Sequence, residues 1–266
     1  MILALAVRGI NRITDEARTM RQTNLLLALS LIACSQAFAG PIQSTSVTPV
    51  ATGVDGFAMT GFTAPDPVGS VATSATSTAG DVVTFKAQNG ASLPADTMEV
   101  GDKTNQSWWN GASDAFYFAP LTGSEALTWV ELMMPADTFA FSLTVDASTR
   151  AQAWILGVDS AGNAVDTAGN TFDASSVTDP DDVPFTIDLS ESGPAQSFGF
   201  HTDKTKDAAG ACNTISRVIV DPQHWGMGDF SIHTDANRCS TTQVPGPGSL
   251  PILLLGLLAT FGGRFL

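Results

Sequence analysis

The chain is poor in the residues that most enzyme mechanisms require. Its 266 residues include three histidines and three cysteines. It has no Gly-x-Ser-x-Gly nucleophile elbow, no HExxH zinc motif and no P-loop. Glutamate is too scarce to mark the pair of facing carboxylates that a glycosidase needs. The sequence therefore predicts a protein that is not an enzyme.

Basic residues are the second shortage. Twelve Lys and Arg stand against 26 Asp and Glu, which gives a formal net charge of −14. Between residues 40 and 243 the balance is 24 acids against 7 bases, or −17. Such a surface repels nucleic acid, which is therefore excluded as a partner. It can also collect divalent cations, so calcium is the candidate cofactor.

Helical periodicity is missing from the centre of the chain, where a period of two residues recurs instead. The clearest case is a segment in which Phe139, Phe141, Leu143 and Val145 alternate with smaller or polar residues. These four side chains are predicted to share one face. The pattern is typical of a half-buried antiparallel strand.

Many such short segments, separated by turn residues, predict an all-β protein. Residues 81–240 are expected to form an antiparallel, jelly-roll-like β-sandwich. Residues 40–80 are expected to be an irregular lead-in rich in Ser, Thr and Gly, with at most one strand, near 56–63. Further strands are predicted at 115–119, 127–133, 151–158, 185–189, 197–201, 214–220 and 230–233.

Two of the three cysteines, Cys212 and Cys239, lie in the predicted domain. An even pair in an oxidising compartment favours one disulfide. The bridge would close a loop of about 27 residues and stabilise the fold by roughly 3–4 kcal/mol in the chain-entropy model. A zinc site is not expected, because the chain has no CxxC motif and no Cys/His cluster.

Residues 1–39 have the order of parts of a secretory signal. A basic residue precedes an apolar run over 25–33, and Ala37-Phe38-Ala39 forms a small-x-small cleavage site. Translation is expected to start at Met20, cleavage to follow the Ala-Phe-Ala site, and export to use the Sec route. The alternative is a lipoprotein signal, because the residues before Cys34 resemble a lipobox and would place a diacyl group on that cysteine.

The C-terminal residues combine a stiff linker with a short apolar segment. Residues 241–249 are rich in proline and glycine, which favours an extended backbone. Residues 250–261 are almost purely apolar, and Arg264 follows them. The apolar run is shorter than the ~20 residues that span a bilayer comfortably, so 250–266 is expected to be a weak or temporary membrane helix. Its basic end suits the cytoplasmic side of the inner membrane.

This order of parts resembles the PEP-CTERM sorting signal. The matching residues are Val244, Pro245, Pro247, the apolar run and Arg264, with Gly246 where that family has Glu and one terminal Arg instead of several. The resemblance implies processing by an exosortase, transient attachment to the inner membrane and delivery to the cell surface or extracellular matrix. An ordinary C-terminal anchor or a buried core helix is the alternative.

Three tryptophans are candidates for contact with carbohydrate. Trp108 and Trp109 stand in a polar loop segment, and Trp225 is expected in the loop between the last two strands. A tryptophan in a loop can stack on a sugar ring through its face. It can equally plug the end of a sandwich, and the sequence leaves both interpretations open.

A seven-residue repeat supplies candidate calcium ligands. Asp159 and Asp166 each begin a unit that contains Gly-Asn, and hard cations need several oxygen ligands. Asp221 and Asp229, which flank the segment around Trp225, are two further candidates. The alternative is that the repeat marks simple turns, since Asp and Gly-Asn favour turn conformations.

The segment from Gly226 to Phe230 resembles the Gly-x-Asp-Asp-aromatic stretch before the last strand of galactose-binding-like jelly-roll domains. Gly228 stands where that pattern has its first Asp, and Asp229 keeps the second. The resemblance implies the jelly-roll fold, but it does not imply a metal site with two carboxylates.

These features predict an exported, surface-sorted, non-catalytic protein that binds or organises exopolysaccharide. Loop aromatics would supply weak sugar contacts, and calcium is the candidate bridge to anionic polymer. Two alternatives are a secreted polysaccharide-active enzyme and an ice-binding or adhesion protein at the surface. The last requires a flat Thr-rich face, and the sequence shows no Thr-x-Thr ladder.

Overall fold

The computed structural model describes residues 42–65, 67–93, 98–119, 129–147, 151–177, 187–189, 193–203, 212–220 and 225–238. The signal region, Cys34, Cys239, Asp221 and the sorting residues Val244, Pro245, Pro247 and Arg264 lie outside these stretches, and their roles stay predictions. Within the described stretches, no helix is long and apolar enough to cross a membrane.

Strands dominate the described residues, where helix is confined to short 3-10 turns at Gln88–Gly90 and Ala174–Ser176. The prediction of an all-β protein is therefore confirmed. The strands are β1 (Gln43–Ser46), β2 (Gly53–Val54), β3 (Phe57–Ala58), β4 (Thr60–Gly61), β5 (Ser74–Thr76), β6 (Val82–Ala87), β7 (Glu99–Asp102), β8 (Ala115–Phe118), β9 (Val130–Met133), β10 (Thr138–Ala147), β11 (Ala151–Ala153), β12 (Ile155–Asp159), β13 (Asn163–Asp166), β14 (Thr171–Asp173), β15 (Ile187–Leu189), β16 (Gln196–His201), β17 (Ile215–Val220) and β18 (Trp225–Thr234).

Two seven-stranded antiparallel sheets form a β-sandwich. The first has the order β1-β16-β10-β18-β8-β7, and β4 also pairs with β18. The second has the order β14-β13-β12-β17-β9-β6-β5. Aromatic rings from the two sheets meet in the core, where Phe85 of β6 packs edge-on against Tyr117 of β8 with 5.0 Å between ring centroids. Phe85 also lies 6.3 Å from the ring of Phe230 on β18.

Strand β10 contains the alternating segment, but it is buried on both faces and is not the half-buried strand that the pattern predicts. Phe141, Leu143 and Val145 join the main core on one face. On the other face, the hydroxyls of Ser142 and Ser231 form a hydrogen bond of 2.6 Å. Because hydroxyls on neighbouring strands satisfy each other, this polar face can be covered at little cost.

Phe139 departs from the predicted alternation. The register between β10 and β18 shifts between Thr138 and Ala140, and Phe139 belongs to a cluster separate from the main core. Its ring stacks on Phe57 at 6.4 Å, and the guanidinium of Arg238 lies 4.9 Å from its centroid. The prediction that Phe139 shares a face with Phe141 was wrong, because strand pairing, which a local pattern does not reveal, sets the position of a bulge.

Residues 42–80 are integrated into the sandwich, which corrects the expectation of an irregular lead-in with at most one strand. Strand β1 pairs with β16, β4 with β18 and β5 with β6. Strands β2 and β3 form a tight hairpin, and its Asp55 and Gly56 have φ angles of 45° and 77°. Positive φ at both central residues is what a type I′ hairpin turn requires. The segment thus supplies an edge strand to each sheet.

Two predicted strands have different bounds in the structure. The segment 151–158 is divided at Trp154, because β11 pairs with β15 while β12 pairs with β13 and β17. The segment 230–233 is only the end of the ten-residue strand β18. The extra length of β18 carries Gly228 and Asp229 into the first sheet, where they help to form the site described next.

Candidate functional site

A pocket of about 370 Å³ opens beside β8 and β18. We call it the β8–β18 pocket; its lining comes from Val50 and from residues 62–65, 113–115, 117 and 228–230. Its volume lies in the range of about 300–1,000 Å³ that is common for small-molecule sites. Three segments that are distant in sequence build it, so no local motif marks it.

Aromatic rings form the apolar part of the pocket. Tyr117 stacks on Phe230 with 5.5 Å between centroids, and Phe62 meets Phe230 edge-on at 5.6 Å. These contacts tie β8, β18 and the segment after β4 together. The same rings pack into the sandwich core, so the apolar wall of the pocket is rigid.

A β-bulge places Asp229 in the wall of the pocket. Ser142 pairs with Ser231 and Thr144 with Gly228, so two residues of β18 stand opposite the single residue Leu143. Asp229 has a φ of 52° there. Bulges of this kind redirect side chains and are frequent near functional sites.

The redirected carboxylate of Asp229 stabilises the loop that contains Ala112 and Ser113, which forms part of the pocket wall. Its two oxygens accept hydrogen bonds from the backbone amides of Ala112 and Ser113, both at 2.7 Å. Charge-assisted bonds of this kind are strong. Asp229 thereby fixes the loop that leads to Asp114 and Ala115, which line the pocket next to it.

Val50 is a second residue of the pocket with unfavourable backbone geometry. It has a φ of 50°, and the residue is 40% exposed. Positive φ is costly for a β-branched residue, and such strain tends to occur at functional sites. Val50 and Asp229 are two of the five non-glycine residues with positive φ in the described stretches. Their presence in one pocket favours this pocket as the functional site.

The candidate Trp109 is a plug and does not present a face to a ligand. It is 2% exposed, and its ring stacks on Phe116 at 4.6 Å. A Cβ added at Gly111 would lie 2.1 Å from the ring, so Gly111 packs directly against it as well. Its indole N–H donates to the carbonyl of Ser113 at 2.9 Å. This burial overturns Trp109 as a sugar contact and makes it a support for the wall of the pocket.

The two other tryptophans that are predicted to contact carbohydrate are Trp108 and Trp225. Trp108 is half-buried, meets Phe116 edge-on at 5.0 Å and donates its indole N–H to the side chain of Gln106. Neither Trp108 nor Trp109 lines the β8–β18 pocket. The side chain of Trp225 lies outside the described part of the structure, so its carbohydrate role stays a prediction.

A second buried carboxylate holds the tryptophan loop. Asp146 of β10 accepts hydrogen bonds from the amides of Asn110 and Ala147. Burial raises the pKa of the Asp146 carboxyl above its ordinary value, and those hydrogen bonds offset part of the rise. Asp146 and Asp229 stand on neighbouring strands, so two carboxylates fix the loop that forms one wall of the pocket.

The raised pKa of Asp146 predicts a pH-dependent contribution to stability. A folded-state pKa above the ordinary value of 3.8 means that the folded protein holds this proton more tightly than the unfolded chain. The stabilisation is present below that value and is lost as the pH rises through the folded pKa. Urea unfolding at a series of pH values should therefore show wild type losing stability relative to Asp146→Asn over this window.

Asp173→Asn is the matched control for the pH prediction. Asp173 is exposed, and hydrogen bonds from the amide and hydroxyl of Ser175 lower its pKa. Its contribution is present above 3.8 and is lost as the pH falls through the folded pKa, so the slope has the opposite sign. Equal slopes for the two variants would contradict the assignment.

The seven-residue repeat forms two successive hairpin turns. One oxygen of Asp159 accepts the amides of Ala161 and Asn163 at 2.9 Å, and Asp166 binds the two equivalent amides of the next unit at 2.9 Å. The turns connect β12 to β13 and β13 to β14, so they lie at opposite ends of β13. The period of seven residues is one short strand plus one turn.

This geometry supports the turn interpretation of the repeat over a calcium site. The carboxylates of Asp159 and Asp166 are buried and engaged by amides, and Asp229 is engaged by Ala112 and Ser113. Among the residues that the structure describes, no three His, Cys, Asp or Glu side chains come close enough to hold a metal ion. The fourth candidate, Asp221, lies outside the described stretches.

The structure describes Cys212, one of the two cysteines of the predicted disulfide. Cys212 is disulfide-bonded, and its sulfur also lies 3.6 Å from the carbonyl oxygen of Arg238. Cys239 lies outside the described residues, so the pairing of Cys212 with Cys239 stays a prediction.

Sequence reasoning did not find the pocket residues Thr63, Ser113 and Asp114, because none of them stands in a recognisable motif. The only local signal was the Gly228-Asp229 pair within the jelly-roll resemblance. Comparison with known proteins found no matching family model, no similar curated protein and no similar solved structure. Function is therefore inferred from the β8–β18 pocket and from the sequence.

Proposed function

We propose that this chain is a non-catalytic protein of the cell surface or extracellular matrix that binds exopolysaccharide through the β8–β18 pocket. The observation that carries this proposal is the combination of the half-buried Phe62 ring, backed by the buried rings of Tyr117 and Phe230, with polar groups at Thr63, Ser113 and Asp114. Aromatic faces pack on the C–H faces of sugar rings. A few placed polar groups fix the orientation of a ligand in such a pocket.

The proposed location depends on the sequence. The signal region predicts Sec export, and the PEP-CTERM-like tail implies a transient stay in the inner membrane followed by exosortase processing. The antiparallel sandwich is compatible with the jelly-roll topology that the resemblance to galactose-binding-like domains implies.

The state of the carboxylates favours binding over catalysis. A glycosidase needs one carboxylate as acid and another as base or nucleophile on opposite sides of the bond. Both oxygens of Asp229 accept hydrogen bonds from backbone amides, so this carboxylate stabilises the loop around Ala112 and Ser113. Asp114 is then the remaining carboxylate among the lining residues that the structure describes.

Blocking the pocket tests the proposal directly. Ala64 is exposed and lines the pocket, so Ala64→Trp should fill the opening without disturbing the core. We expect the affinity of the purified full-length protein, kept in mild detergent, for exopolysaccharide of its own host to fall by roughly tenfold or more. The measurement is the bound fraction in a sedimentation assay, with released reducing ends measured in parallel.

Ala161→Trp is the matched control. Ala161 is an exposed loop residue that does not line the pocket, so the same substitution there should leave binding unchanged. Equal binding by both variants and wild type would refute the pocket as the binding site. Release of reducing ends by wild type would refute the non-catalytic assignment.

A further inference from the structure

We propose that the β8–β18 pocket selects a sugar that carries a free ammonium group, such as a deacetylated hexosamine unit of the polysaccharide. This inference rests on the proposed function and specifies the ligand of the same pocket. It departs from the expectation that an acidic protein reaches anionic polymer through calcium. Three observations support it. The lining carries acidic residues, the carboxylate of Asp114 is exposed, and that carboxylate forms an ion pair with Lys103.

The titratable residues of the lining are acidic. Asp114 and Asp229 line the pocket, and among the lining residues that the structure describes there is no Lys, Arg or His. The hydrogen-bond partners of Asp229 are uncharged backbone amides, and none of the ion pairs in the described stretches involves it. The whole chain adds to this field with its net charge of −14. A cationic ligand is therefore attracted, and an anionic one is repelled.

Asp114 is the carboxylate best placed to meet a ligand. Its side chain is 94% exposed, and its ion-pair partner is Lys103, with 3.8 Å between Nζ and Oδ1. The lysine side chain is 38% exposed. An ion pair this open to solvent contributes little to stability, so a ligand ammonium can replace Lys103 at low cost.

The ring of Phe62 strengthens the preference for an ammonium group. Tyr117 and Phe230 are 5% and 3% exposed and stack on each other, so the half-buried Phe62 is the lining ring that a ligand can reach. An aromatic ring attracts a cation through its quadrupole, so an amine on a sugar ring finds a carboxylate and the Phe62 ring in one pocket, while the C–H groups of the sugar pack on the apolar wall. A neutral sugar uses only the second contact.

The test compares oligomers of glucosamine and N-acetylglucosamine of equal length, by calorimetric titration of the full-length protein in mild detergent. Working at mildly acidic pH keeps the amine protonated. We expect the glucosamine oligomer to bind about tenfold more tightly, because a charged hydrogen bond is replaced by a neutral one in the acetylated ligand. Asp114→Asn should bring the two affinities together.

Lys103→Gln should raise the affinity for the glucosamine oligomer, whereas Asp114→Asn should lower it. Removing the resident cation should strengthen binding of the glucosamine oligomer about two- to threefold, since an exposed ion pair no longer competes. Asp203→Asn is the charge-matched control, because Asp203 is exposed and does not line the pocket. It should leave both affinities unchanged.

The outcomes separate this inference from the proposed function. Equal affinity for the two oligomers, with binding still weakened by Ala64→Trp, would overturn the ammonium preference and leave sugar binding in place. An equal loss of affinity in Asp114→Asn and Asp203→Asn would overturn it too, because only net charge would matter. No binding of either oligomer or of exopolysaccharide would overturn both proposals.

Discussion

Glu131→Ala is expected to lower the free energy of unfolding by about 3–5 kcal/mol. Glu131 of β9 is 1% exposed, and its carboxylate connects three parts of the fold. One oxygen accepts the amide of Asn89 at 3.0 Å and the indole N–H of Trp129 at 3.1 Å. The other accepts the amide of Gly90 at 3.1 Å. It also lies 3.5 Å from a guanidinium nitrogen of Arg217.

The size of this effect follows from what alanine leaves behind. Three N–H donors and a partly buried guanidinium lose their acceptor at once, and unpaired buried polar groups are costly. Asn89 and Gly90 also have φ angles of 59° and 72°, so the turn that they form depends on Glu131 to stay in place. Replacing a carboxylate here therefore loosens the β6–β9 connection as well as the ion pair.

Urea unfolding measures this loss, and two further variants define its cause. Glu131→Gln keeps the size and one acceptor, so it should lose less stability than alanine. Glu99→Ala, at a half-buried position on β7, is the control for removing a glutamate from a strand. If the free energies of unfolding of Glu131→Ala and Glu99→Ala differ by less than about 1 kcal/mol, the buried network around Glu131 is not an important source of stability.

The strands could be predicted because their signal is local. Alternation over a few residues is enough to find β10, and the Asp and Gly-Asn units are enough to find the turns around β13. The bulges at Phe139 and Asp229 could not be predicted, because a bulge depends on which residues of two strands are paired. The burial of both faces of β10 was missed for a related reason: Ser142 meets Ser231 only after β18 is in place.

The candidate site was harder to predict than the fold. The sequence favoured the aromatic and acidic residues that stand out locally. Trp109 stands out, yet Phe116 from the next strand covers it. Asp159 and Asp166 stand out by repetition, and they repeat because the same turn occurs twice. Asp114 attracted no notice, since its position at a pocket is created by long-range pairing.

Asp229→Ala has the second large expected effect, a loss of about 2–4 kcal/mol in the free energy of unfolding. The substitution removes the acceptor for the amides of Ala112 and Ser113, and unsatisfied donors cost about 1–3 kcal/mol each when water cannot reach them. Ala112 is exposed, so its amide regains water and the total stays below the sum for two buried groups. Urea unfolding of the full-length protein checks this value.

Asp229→Gly separates the lost hydrogen bonds from the backbone strain at the bulge. Glycine adopts the φ of 52° without penalty, whereas alanine keeps the strain, so the glycine variant should be more stable than the alanine variant by about 1 kcal/mol. Both variants release the loop before Asp114 and should therefore weaken glycan binding together. Restored stability with binding still lost would show that Asp229 shapes the pocket through its carboxylate. Full binding by the glycine variant would instead assign the pocket wall to the bulge alone.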